Sequence, residues 1–328
     1  MKLAIAILNW NGKKLLQRFL PSVIQNSPEA NVFIIDNGSN DGSQNYIKQN
    51  YPEVDLIQLD SNFGFAGGYN RGLKKINAEL VCLLNNDVMV KEKWLPPILY
   101  HFKANPNTAI AQPHIMNLNR PEYFEYAGAA GGFIDRLGYP YCNGRVFHHI
   151  EKDNGQYDQD KKVFWASGAC FFIRKAKFDA LGGFDEDFYV HMEEIDLCWR
   201  IFNENLEVYS LYKSKVYHLG GGTLALSGKK TYLNFRNSLY LLLKNLPEKR
   251  FLRISERIIW DVFVIFLFLF KFEFKNALAV LNAHFSFYRN FNKIASKKVN
   301  NHSLRSYFSV KFLPIRYLFP KKKKILRL

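Results

Sequence analysis

Cysteine is scarce in this chain: four in 328 residues, Cys82, Cys142, Cys170 and Cys198, with no C-x-x-C pair. That leaves no material for a metal knuckle or a dense disulfide framework, and a reducing compartment fits best. Long apolar runs are missing as well. The longest, residues 258–270, falls short of the ~20 residues needed to span a bilayer. The opening run, residues 3–8, is too short for a signal peptide and breaks at Asn9-Trp10-Asn11-Gly12 as a strand ends in a turn, so the body is expected in the cytoplasm. Acidic residues almost vanish from the last third. Residues 229–328 hold 22 Lys+Arg against 4 Asp+Glu, a net of +18, whereas residues 1–228 hold 23 against 25, a net of −2. A basic surface of this kind implies an anionic partner. Hydrophobic residues make up 48% of the chain and charged ones 23%, which excludes overall disorder and fibrous repeats.

Short apolar runs at residues 3–8, 32–35, 54–59, 80–84 and 108–111 alternate with segments of helical spacing, such as Leu15, Leu16, Phe19, Leu20, Val23 and Ile24. This is the signature of an α/β fold with a largely parallel central sheet flanked by helices. Polar clusters follow three of the runs: Asn9-Trp10-Asn11-Gly12, residues 36–43, and Asn85-Asn86-Asp87. Ligands of open α/β sheets bind at the carboxyl ends of strands, so the three clusters point to one site. Asp36 and Asn37 can hydrogen-bond a nucleobase edge or ribose, although Asp-Asn-Gly-Ser also makes a plain tight turn. Residues 62–72 form a glycine-rich stretch that opens a helix and can present backbone N–H groups to phosphate; it is neither a Walker loop nor a dinucleotide fingerprint. Asp87, at the end of an uncharged strand, suits Mg²⁺ or Mn²⁺ on a diphosphate, or equally the cap of a following helix.

The succession Ile7-Leu8-Asn9-Trp10-Asn11-Gly12, residues 36–43, residues 62–72, Leu84-Asn85-Asn86-Asp87, Gly182-Gly183-Phe184-Asp185-Glu186 and Glu193-Glu194-Ile195-Asp196-Leu197-Cys198-Trp199-Arg200 resembles family 2 glycosyltransferases, in particular their bacterial rhamnosyltransferase-like branch. The resemblance covers about residues 1–240. It implies a GT-A fold, a nucleotide-sugar donor (dTDP- or UDP-linked), a divalent cation (Mn²⁺ or Mg²⁺) and inversion at the anomeric carbon. On this sequence it puts donor contacts at Leu8, Asn9, Asn11, Asp36, Asn37, Ser39, Asn62, Gly64, Gly67, Asn70, Asn85 and Asn86, and metal contacts at Asp87 and His218. The chain departs from the family's Asp-x-Asp pattern at Asn85, which offers a neutral carbonyl in place of a carboxylate.

Inverting transfer needs a base near the incoming hydroxyl, and a carboxylate suits that role. Glu193, Glu194 and Asp196 crowd the start of a helix, where the macrodipole favours negative charge. Asp196 has Arg200 four residues on as an ion-pair partner, beside its place on the acceptor side of the site. The family's Glu-Asp pair falls on Glu193-Glu194, so Glu194 is the expected base, with Glu193 the alternative. Trp165, Gly168 and His191 are expected on the acceptor side. Arg236, on one helical face with Tyr232, either meets phosphate or pairs structurally. The aromatics of residues 115–162 either stack on the acceptor or pack beneath a long loop.

Residues 258–270 and the stripe Ala277, Leu278, Leu281, Phe285, Tyr288 are too apolar for a nucleic-acid domain and are flanked by basic residues ending in Lys321-Lys322-Lys323-Lys324. That composition fits an interfacial anchor on an anionic membrane surface; the alternative is packing on the body or on a second copy as a homodimer. The expected organisation is a catalytic domain over residues 1–245 (a nucleotide-sugar half to about 115, then an acceptor half) and a basic helical membrane-associating region over 246–328. The expected activity is transfer of a sugar, rhamnose among the candidates, to a lipid-linked or polysaccharide acceptor in bacterial cell-surface glycan synthesis, at the cytoplasmic face of the cell membrane. The rival readings are a sugar nucleotidyltransferase and a membrane-bound scaffold with a degenerate donor pocket.

Overall fold

The computed structural model of the chain describes residues 1–220, 228–303 and 305–314. The first half runs β1 (Leu3–Asn9), α1 (Lys13–Gln25), β2 (Ala30–Asn37), α2 (Ser43–Asn50), β3 (Asp55–Leu59), α3 (Gly64–Leu73), β4 (Leu80–Asn85), β5 (Val88–Val90), α4 (Leu95–Ala104) and β6 (Thr108–Asn117). Four short strands follow: β7 (Gly132–Ile134), β8 (Pro140–Cys142), β9 (Arg145–Val146) and β10 (His149–Ile150). Then come β11 (Lys161–Val163), β12 (Cys170–Arg174), α5 (Lys175–Ala180), a 3-10 turn at Glu186–Phe188, α6 (Glu193–Asn203) and β13 (Glu207–His218). The helices α7 (Gly228–Asn245), α8 (Arg250–Phe270), α9 (Phe274–Arg289) and α10 (Phe291–Ala295) complete it. Lys321–Lys324, which carry a sequence expectation, lie outside the described residues.

The main sheet has the order β11-β13-β6-β12-β4-β1-β2-β3, with β5 paired to β13. Strands β4, β1, β2 and β3 are parallel, β12 is antiparallel to both its neighbours, and β13 runs parallel to β6. Strands buried on both faces read as unbroken apolar runs, which is why β1 and β4 were legible. Alternate side chains serve two layers of core: Ala4, Ala6, Ile35 and Leu83 on one side, Ile5, Ile7, Ile34 and Leu84 on the other. Helix α3 seats against the sheet through its glycines. A Cβ on Gly72 would sit 2.3 Å from Ile35 Cδ1, and one on Gly68 2.7 Å from Leu8 Cδ1.

Strand β1 lies between β2 and β4, so the chain leaves it in opposite directions, and ligands bind at such a switch point. The register aligns Asn9 with Asp36 and Leu8 with Asn85, setting three polar loops side by side. The segment 88–90, which one of the two readings of Asp87 made the approach to a helix, is a strand whose Val88 pairs with His218.

The second sheet, β7 to β10, is a small antiparallel one. Its aromatics are largely packing, with Phe124 and Tyr141 fully buried. Helix α7 contributes Leu239, Leu241 and Leu243 to the apolar cluster that also holds Ala4 of β1, Phe287 of α9 and Ile294 of α10. The helices thus pack on the body. Residues 305–313 cross back over the small sheet, where Leu313 N donates to Asp135 Oδ2 (2.9 Å) and Tyr307 stacks on Trp199.

Asp261 of α8 has no exposed surface. It accepts from Arg257 Nε (2.7 Å) and Tyr139 Oη (3.3 Å) and faces His284 Nε2 of α9 at 3.0 Å, while Arg257 also donates to Leu137 O. This network joins α8 and α9 to the small sheet. Asp261→Ala would strand the Arg257 guanidinium without its counter-charge, so chemical denaturation should show a loss of about 3–5 kcal/mol; an unchanged midpoint would mean the network holds nothing together.

Candidate functional site

Three strand-end loops are stitched into one surface. Buried Asn9 donates to Asp36 Oδ2 and Ser39 Oγ (both 3.3 Å), and its Oδ1 accepts from Asn86 Nδ2 (2.9 Å). Asp36 also accepts from Ser39 N (3.0 Å) and Gln44 Nε2 (2.7 Å). Asn11, in the left-handed region at φ 49°, accepts from Asn40 N at 2.8 Å and donates from its backbone to Ser39 Oγ at 2.9 Å. The next loop is clamped by Asn37, which donates to Asn62 Oδ1 and Gly64 O and accepts from Phe63 N, each at 3.0 Å.

Several residues expected on the donor also make bonds within the protein. Asp36 and Asn37 are buried with their polar atoms engaged inside the loops they shape. Asn70 bonds the backbone of Phe184 in both directions, tying α3 to the loop before the 3-10 turn. Gly67 is buried where a Cβ would meet Arg71, Phe63 and Glu186, and Leu8 packs on Gly68. Asn11, Ser39, Asn62, Gly64, Asn85 and Asn86 keep partly or fully solvent-facing surface and remain candidates for a ligand at this edge.

Because β5 pairs with β13, Asp87 and His218 meet although far apart in sequence. His218 Nε2 lies 3.1 Å from Asp87 Oδ1, and Leu219 N donates to Asp87 O at 3.0 Å. On the other side of the ring, Nδ1 is 3.4 Å from Glu125 Oε2 without hydrogen-bond alignment. Burial opposes a charged imidazole here, but contacts with Asp87 and Glu125 outweigh it and push the ring up to about 10. Sequence reasoning missed Glu125, which lies among the aromatics of the long insertion. A carboxylate beside an imidazole suits Mn²⁺ better than Mg²⁺. Among the described residues no group of three or more His, Cys, Asp or Glu side chains is arranged to hold a metal unaided. The pair fits an ion whose coordination a substrate phosphate and water complete.

The acids stand at the start of α6. Glu193 is buried, and one oxygen each of Glu193 and Glu194 is buried with no hydrogen-bond partner. Burial lifts Glu194 to about 7 against the pull of backbone N–H groups at the helix start. Burial, with Glu194 beside it, drives Glu193 well above the usual carboxylate range. His191 Nε2 is also buried and unpartnered, and burial together with Lys230 lowers that ring to about 4.

The loop carrying these groups holds three non-glycine residues at positive φ: Tyr189 (63°), His191 (70°) and Met192 (72°). Such backbone persists only where its surroundings over-determine it. Helix α7 does so. Buried Asn237 donates to Phe188 O (2.9 Å), Val190 O (3.0 Å) and His191 O (2.7 Å). Arg236 donates to Asp187 O (3.2 Å) and Phe188 O (3.1 Å) and lies over the rings of Tyr232 and Tyr240. The Arg236 guanidinium thus makes structural bonds to the acid loop. Asn237 was not singled out in the sequence, where only its position after Arg236 hinted at it.

Two residues expected on the acceptor side are held within the protein. Asp196 is fully buried and accepts from Arg200 Nε (2.9 Å), its expected ion-pair partner, from Lys244 Nζ (2.9 Å) and from Asn245 Nδ2 (2.8 Å), so it anchors α6 to α7. Trp165 is buried, donating to Phe133 O at 2.9 Å under the small sheet. Gly168 stays partly exposed beside Phe65 of α3.

Contacts through neighbouring residues link the segments that carry the metal-type pair and the acids. Lys230 lies over Tyr126, the neighbour of Glu125, and acts electrostatically on His191. The turn at residues 166–168 touches both sides: Ser167 Oγ donates to Ala127 O at 2.8 Å, and Ala166 N approaches Cys198 Sγ, one helical turn after Glu194, at 3.4 Å.

The chain is similar in sequence and fold to several known proteins. The N-acetylglucosaminyl-diphospho-decaprenol L-rhamnosyltransferase of Mycobacterium tuberculosis is 25% identical over 258 residues, 70% of this chain and 83% of that protein. Two solved structures share the fold at low identity. GalNAc-T7 with UDP, GalNAc and Mn²⁺ has a TM-score of 0.57 at 18% identity over 74% of this chain and 47% of its own. S. aureus TarS in complex with UDP-GlcNAc has a TM-score of 0.55 at 14% identity over 91% of this chain and 84% of its own. The family model described as glycosyl transferase family 2 matches residues 4–182, more than half the chain and the whole strand-edge surface built from β1, β2 and β4, so the chain belongs to that family and has the GT-A fold.

Proposed function

We propose that this glycosyltransferase is an inverting, divalent-cation-dependent enzyme that moves a sugar from a dTDP- or UDP-sugar to a lipid-linked or polysaccharide acceptor. Rhamnose is the first candidate sugar, bacterial cell-surface glycan assembly the setting, and the cytoplasmic face of the cell membrane the place. The observation that carries the reading is the pair of buried, partnerless carboxylate oxygens on Glu193 and Glu194, held at the start of α6. The rhamnosyltransferase relative, named for a decaprenol-linked acceptor, supports a lipid carrier. The Mn²⁺ and UDP of the GalNAc-T7 structure support the cation and the donor class.

In this reading the acceptor oxygen attacks the anomeric carbon on the face opposite the diphosphate. Its proton passes to Glu194, the new C–O bond forms, and the bond to the diphosphate breaks with its electron pair leaving on that group. Asp87 and His218 would hold the cation, which supplies neutralisation of the departing diphosphate's charge. Asn11, Ser39, Asn85 and Asn86 offer hydrogen-bonding groups to the nucleotide. Burial gives Glu194 a proton affinity matched to neutral pH, as a general base requires.

Glu194→Gln should abolish transfer while leaving donor binding intact. In the wild type, kcat/KM should rise about tenfold per pH unit up to about pH 7 and then level off, because only the ionised carboxylate accepts the proton. Near-normal turnover in E194Q would move the role to Glu193. Asp87→Ala should weaken donor binding in the presence of Mn²⁺ and leave the metal-free affinity unchanged, as read by calorimetry; equal losses with and without metal would remove Asp87 from the cation. Asn237→Ala frees three carbonyls of the acid loop, so kcat should fall about tenfold or more with donor Kd unchanged. A uniform loss of donor affinity would place Asn237 in general stability instead.

A further inference from the structure

Helix α8 is built inside out. Its buried face carries Arg257 and Asp261 beside Ile254 and Ile265, whereas its outward face carries Ile259, Phe263, Phe266 and Phe270, each about half or more exposed. Those four recur at helical spacing and form one stripe. Helix α9 repeats the pattern: Ala277, Val280, Ala283 and Phe287 face the body, while Leu278, Leu281 and Phe285 point outward at 58%, 51% and 69% exposure. A helix on a water-facing surface puts polar residues on its outer side. Here two adjoining helices both present apolar ones, and the turn joining them adds Phe272 at 80% exposure.

The exposed charges around this face are mostly basic. Lys249, Lys271, Lys275 and Arg289 are exposed at the ends of the two helices, against exposed Glu248 and Glu273. Glu256 is paired with Arg136 and Arg253, and Asp261 is buried. No helix among the described residues is long and apolar enough to cross a membrane. We infer that the α8–α9 hairpin lies flat in the surface of an anionic bilayer, its phenylalanine and leucine stripes among the acyl chains and its lysines at the headgroups. Apolar area and basic charge acting together give stable interfacial binding where one alone is weak. A second copy is the poorer occupant: exposed Lys249, Lys271, Lys275 and Arg289 outnumber the exposed acids at this face, and joining two such faces sets like charges together. The inference rests on this surface and not on the transfer chemistry. It bears on that chemistry because α7, whose Asn237 holds the acid loop, packs directly on α9.

The test is co-sedimentation of the full chain with phosphatidylcholine vesicles, with and without phosphatidylglycerol. The wild type should pellet with the anionic vesicles and bind neutral ones about tenfold or more weakly. The triple variant Phe266→Ser, Phe270→Ser, Phe285→Ser should bind about a hundredfold or more weakly. Its thermal stabilisation by the donor and its transfer to a water-soluble acceptor should be unchanged, which shows that it folds. Lys271→Glu with Lys275→Glu should reduce binding to anionic vesicles alone. Pelleting of the triple variant like wild type, or a wild type left in the supernatant, would overturn the inference. So would a wild-type dimer that the triple variant turns into a monomer. Vesicle binding by a chain that transfers no sugar would leave this inference standing and remove the proposed reaction.

Discussion

Two neighbouring carboxylates, each with a buried oxygen that nothing in the chain satisfies, set the terms for the rest of this structure. Burying acids without partners is costly, and both respond by holding their protons above the ordinary range. A fold keeps such a pair only if the surrounding backbone has no easy escape. Here the preceding loop is forced through three left-handed residues and fastened from α7 by five hydrogen bonds from Arg236 and Asn237. The C-terminal helices are in this sense part of the site.

The uneven charge of the chain has a structural use at the same place. Lys244 bridges Asp185 (2.8 Å) and Asp196 (2.9 Å), Lys297 reaches Asp185 and Asp187, and Lys293 reaches Asp187. Lysines of the basic third thus neutralise carboxylates of the slightly acidic body around the loop that leads to Glu193. Lys244 and Arg200 also keep Asp196 ionised although it is fully buried, the opposite outcome from Glu194 two residues earlier. Neighbouring charges, more than burial, separate the two acids into an anchor and a proton acceptor.

Much of this was legible in the sequence because it is local. The strands β1 to β4 announce themselves as apolar runs, α3 as a glycine stretch opening a helix, and the Asp196–Arg200 pair by its spacing. What was not legible depends on pairing between distant segments. Residues 88–90 look like the approach to a helix, and only the β5–β13 ladder makes them a strand that brings Asp87 to His218. Asp36, Asn37 and Asn70 have the right chemistry for a nucleotide, yet loop closure turns their polar atoms inward, which no spacing reveals. Asn237 and Glu125 matter only through what faces them, Asn237 in the acid loop and Glu125 at His218. The apolar character of residues 258–270 was plain; that Asp261 points inward and Phe263, Phe266 and Phe270 outward was not.

The most direct test of the central claim is a crystal structure of the chain with its nucleotide-sugar and Mn²⁺, using anomalous scattering to place the ion. The account predicts the ion on Asp87 and His218, with the diphosphate against it. A carboxylate oxygen of Glu194 or Glu193 should then face the anomeric carbon from the side away from the diphosphate. An ion or diphosphate bound elsewhere, or both glutamates turned from the sugar, would contradict it.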